Sequence, residues 1–95
     1  PKKLLVGPWP HTRPHASTPG PRINHFDEMA KFFAATLRPD PQPLPGPPVV
    51  VYMQEYAPPS RTLETTPGTW RAEEEFAPYG SEPVTFYLAG DGRLE

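Results

Sequence analysis

The chain has 95 residues and a mass of 10.6 kDa, with seventeen prolines, seven glycines and only 36% hydrophobic residues. That length holds at most one small domain, and a net charge of −2 offers no basic field, so no nucleic-acid partner is expected. With no cysteine, disulfide staples and thiolate metal sites are excluded; no apolar run nears the ~18 residues of a membrane helix, so no membrane partner is expected either.

In chain order, Lys2-Lys3 leads into Leu4-Leu5-Val6, an apolar run too short for the core of a signal peptide. A cytoplasmic location is the expectation. The run predicts a strand buried on both faces. Gly7 and Pro8 stop it, because Pro8 has no N–H for a ladder and Gly7 tolerates the sharp exit. Trp9 and His11 then stand at the strand's C-terminal end, the edge at which open α/β sheets bind ligands. His11, stiffened by Pro8 and Pro10, is the candidate proton-transfer residue.

Residues 10–23 read as a loop with four prolines and two histidines, long enough to be either functional or disordered. His11 and His15 have the spacing of helical metal ligands, but Pro14 lies between them, so no metal site is expected; phosphate-binding glycine loops are absent, and no other cofactor is expected. Asn24 to Leu37 predicts a helix. Asn24 serves as N-cap, Asp27 and Glu28 occupy the first turn, and Pro39 ends the helix. Phe26, Met29, Ala30, Phe33 and Leu37 form one apolar stripe, widened by Phe32 and expected to be core, although no segment here supplies a surface to match it.

Six prolines within 39–48 predict a stiff spacer and a domain boundary. Beyond it the period changes to two. Val49 to Met53 predicts a strand, Trp70 to Glu73 the start of a short one, and Val84 to Leu88 another; Pro78-Tyr79-Gly80 and Gly90-Asp91-Gly92 read as turns. Ser17, Ser60 and Ser81 lie in polar loops, and no Gly-x-Ser-x-Gly occurs, so these residues offer no strained nucleophile turn. Glu73-Glu74-Glu75 reads as a solvated edge, and Trp70 as a packing residue whose neighbour Arg71 can pair with an acid.

Gly7-Pro8-Trp9-Pro10-His11 resembles the Gly-Pro-Trp-x-His segment of the cocaine esterase / X-prolyl dipeptidyl-peptidase family of α/β-hydrolases. The helix with Phe32-Phe33 and Leu37-Arg38 is similar to that family's closing hydrolase helix, with Ala34 where aspartate is usual. Pro48 to Tyr52 resembles the strand opening its C-terminal β-sandwich, and Trp70-Arg71 its Trp-Arg element. Phe86-Tyr87-Leu88 with Asp91-Gly92-Arg93-Leu94 is similar to its Phe-Tyr-Leu and Asp-Gly-x-Leu segments. A proline-rich loop at 54–69 and Glu75-Phe76-Ala77-Pro78 depart from the pattern.

The resemblance implies residues 1–38 as the end of an α/β-hydrolase domain, 39–48 as a linker and 49–95 as the start of a jelly-roll sandwich, mixed α+β as an isolated chain. It implies acyl transfer by a Ser-His-Asp triad with His11 as general base, on ester or X-Pro peptide substrates. In such folds the triad runs Ser, acid, His along the chain, so serine and aspartate are expected upstream of Pro1 and the 95 residues alone are expected to be inactive. No residue is identified as substrate-binding. The exposed stripe and unpaired strand edges would invite a homo-oligomer. The competing reading is a stand-alone interaction module using the 39–48 run or the Phe-rich helix.

Overall fold

A computed structural model describes residues 1–76 and 80–95. Strand β1 (Leu4–Val6) leads to a 3-10 turn at Pro14–Ala16, helix α1 (His25–Thr36), strand β2 (Val49–Gln54) and strand β3 (Gly68–Glu73). A three-residue run needs a ladder to be a strand, and β1 finds it across the proline run: Leu4 lies opposite Val49 and Val6 opposite Val51, in parallel. β3 returns antiparallel, with Val50 opposite Ala72 and Tyr52 opposite Trp70. The sheet order is β1-β2-β3. The chain is a small mixed α+β unit, with β1, α1 and β2 forming a βαβ crossover.

The expected helix is present. Asn24 Oδ1 accepts the Asp27 N–H at 3.3 Å, the capping bond the sequence predicts. Lys31 pairs with Asp27 one turn back at 2.6 Å. Lys3 joins β1 to the helix through Glu28 at 3.3 Å. The proline run bends, with Gly46 at φ 73°. Gln42 N–H donates to the Ala35 carbonyl, and Leu4 N–H to that of Pro48, each at 2.9 Å. The run thereby closes the crossover.

Three expectations need correction. β1 is not buried on both faces: it pairs on one edge only, and Leu4 and Val6 are both exposed. The α1 stripe is not core, since Phe26, Met29, Phe33 and Leu37 are exposed while Ala35, on another face, is buried. Val84 to Leu88 forms no strand. With no neighbouring strand among the described residues, it contributes only a Leu88–Leu94 bridge, flanked by paired Tyr87–Glu95 backbone bonds at 2.6 and 3.0 Å. Gly90 to Gly92 does form the turn of that hairpin, with Gly92 N–H on the Ala89 carbonyl at 3.0 Å. The turn expected at Pro78-Tyr79-Gly80 falls partly outside the described residues. Among those described, Ala35 and Val49 are the buried hydrophobic residues.

Candidate functional site: the histidine loop

The site begins with a close approach. The Trp9 ring folds back over Gly7 so tightly that a Cβ there would lie 2.5 Å from it. Only glycine fits. Trp9 Nε1–H then donates to the Pro21 carbonyl at 2.7 Å, which ties the start of the loop to its end in the manner of an Ω-loop.

His11 sits just inside that tie. The Pro10 carbonyl accepts the Thr12 N–H at 2.6 Å, making a three-residue turn centred on His11. No described non-glycine residue has positive φ, so this is the inverse γ-turn common at strand ends. His11 is exposed and shares a shallow recess with Thr12 and Arg13. Among the described residues, no side chain is hydrogen-bonded to it. Both ring nitrogens therefore remain available to groups from outside.

The rest of the loop is fixed by polar bonds. Ser17 is wholly buried. Its Oγ donates to the Pro19 carbonyl at 2.7 Å, and its own carbonyl accepts from Arg22 Nε at 2.9 Å. Arg22 also donates to Thr18 Oγ1 at 2.9 Å. Gly20 docks on the segment before β3: its N–H donates to the Glu64 carbonyl at 2.7 Å, and its carbonyl accepts from Thr66 N–H at 2.9 Å. Tyr52 Oη donates to the Thr66 carbonyl at 2.8 Å. No buried side-chain nitrogen or oxygen among the described residues lacks a partner, which is how so irregular a stretch stays ordered.

The loop serines, as expected, are not bonded to His11: Ser17 is buried and committed to Pro19, and Ser60 pairs with Thr62. His15 and His25 stack at 5.0 Å with Nδ1 atoms 3.3 Å apart, edged by Phe26. No group of three or more His, Cys, Asp or Glu able to hold a metal ion occurs among the described residues, and none of their helices is long and apolar enough to cross a membrane.

Sequence reasoning missed the reach of Trp70. Its ring lies 6.2 Å from that of Trp9 and 5.0 Å, edge-on, from that of Tyr52. Only the occurrence of the two tryptophans in two separately recognisable segments hinted at it. Arg71 pairs with Glu73, and Glu74 and Glu75 are exposed.

What fold and loop together define is a βαβ unit with an added antiparallel strand, presenting a histidine just past the C-terminal end of its first parallel strand. No family model, curated protein or solved structure matches the chain.

Proposed function

We propose that this chain is the part of a serine hydrolase, of the acyl esterase / X-Pro dipeptidyl-peptidase type, that carries the triad histidine. The observation that carries the reading is the placement of His11: exposed, in a γ-turn, beyond the end of a parallel strand, on a loop fixed at both ends. His11 takes the proton of a serine hydroxyl and returns it to the leaving group, while a carboxylate on its other ring nitrogen sets the tautomer. Serine and carboxylate come from outside these residues, and the substrate is an ester or X-Pro peptide. The finer fold, the end of a hydrolase sheet followed by part of a jelly roll, belongs to the same proposal. The open edge of β1 beside the exposed face of α1 is the surface that the remaining hydrolase sheet would cover.

A serine-directed fluorophosphonate tests this. The full-length gene product is expected to be labelled once, at a serine outside these residues, and His11→Ala to slow labelling by orders of magnitude. The 95 residues alone are expected to remain unlabelled. Stoichiometric labelling of the 95-residue chain, or labelling indifferent to His11→Ala, contradicts the reading.

The exposed α1 face also favours a second reading, a non-catalytic interaction module. Its other surface, the 39–48 run, is bent and tied down at Gln42 and Pro48 rather than presented as an extended ligand. A full-length product that resists the probe altogether favours the module.

A further inference from the structure

Residues beyond the proline run, in β3 and in the segment before it, hold the histidine loop at both ends. At the loop's start, Trp70 of β3 meets Trp9 at 6.2 Å, within the range in which aromatic rings attract. At its far end, Gly20 is bonded to Glu64 and Thr66, and Tyr52 of β2 donates to the same Thr66. Tyr52 and Trp70 are directly opposed cross-strand neighbours, with rings edge to face at 5.0 Å. Tyr52, Trp70 and Trp9 thus form one aromatic column from the middle of the sheet to within two residues of His11.

We propose that Trp70 is a positioning residue for His11, acting through Trp9, so that residues 49–76 serve as a clamp on the histidine loop; this rests on His11 being the general base. Trp9 rests on Gly7 and is held from beyond β1 by the Pro21 carbonyl on its indole N–H and by the Trp70 ring. Loss of the Trp70 ring removes the restraint on the sheet side, so the indole pivots away from Gly7 about its bond to Pro21. Pro10 carries any such pivot to His11, because it is the single residue between them and its carbonyl closes the γ-turn. A shift on the order of 1 Å in a catalytic group costs about 100-fold in rate.

The test uses the full-length gene product with p-nitrophenyl acetate. Trp70→Ala is expected to lower kcat about 10- to 100-fold with KM moving less than about twofold, while Trp70→Phe keeps kcat within about threefold of wild type. Amide exchange read alongside should rise in residues 10–23 and stay low in β2. If His11→Ala abolishes turnover and Trp70→Ala leaves kcat intact, the clamp is overturned and the proposed function stands. If neither substitution changes kcat, the proposed function itself fails. A fall in kcat accompanied by loss of protection in β2, or one that Trp70→Phe does not rescue, also overturns the positioning role.

Discussion

The loop at 10–23 and helix α1 are neighbours in the chain with opposite fates. The loop has four prolines and little regular structure, yet its buried side-chain polar groups are paired and Ser17 is wholly buried. The helix is capped and regular, yet turns Phe26, Met29, Phe33 and Leu37 outward. A hydrogen bond needs one partner at one point, whereas an apolar face needs area. The chain supplies the first and not the second. Its radius of gyration of 17.8 Å, against about 12 Å for a compact domain of this length, expresses the same deficit.

Four perturbations test the contrast between loop and helix. The largest effect is expected from Gly7→Ala, whose methyl would displace the Trp9 ring and with it the bond to Pro21. The loss should be about 1–3 kcal/mol, read as faster tryptic cleavage after Arg22 while α1 stays helical. Asn24→Ala removes the oxygen that caps Asp27 and should cost the helix about 1 kcal/mol, seen by circular dichroism at 222 nm, without loosening the loop. Leu37→Gln, at a side chain 77% exposed, should change stability by less than about 0.5 kcal/mol and reduce binding of an apolar dye. A large destabilisation there would mean that the face is covered after all.

The smallest effect concerns Lys31. The hydrogen bond and charge of Asp27 raise its pKa above the ordinary 10.5. A raised pKa stabilises the fold fully below the ordinary value and loses that contribution as pH rises through the shifted one. Helicity should therefore be insensitive to this group from neutral pH to about pH 10 and decline slightly only above that. A decline near pH 8 would assign the effect to another group.

Local signals were legible. The Asn24 cap, the 3.6-residue period and Pro39 bracket α1, and the valine run and Trp70-Arg71 locate β2 and β3. What sequence could not show is who pairs with whom. Val84 to Leu88 has strand composition, but a strand is a relation between two segments, and this one has only a short hairpin with Leu94 and Glu95. β1 reads as a central strand and is an edge for the same reason. The docking of Gly20 on Glu64 and Thr66 uses backbone groups alone, which every residue carries, so no residue type announces it. Gly68 was silent too: its Cβ would run into the Met53 carbonyl and the Tyr52 ring, a demand visible only once β2 and β3 are paired. Of the site, His11 stood out because rigid residues flank it at a strand end. Trp70 did not, because its partner lies across the proline run.

The most direct measurement is kcat of the full-length gene product and its His11→Ala variant on p-nitrophenyl acetate. With His11 as general base, kcat should fall about 10^4- to 10^6-fold with the fold intact by circular dichroism. A variant that turns over at the wild-type rate would show that His11 is a loop residue and that the chemistry lies elsewhere.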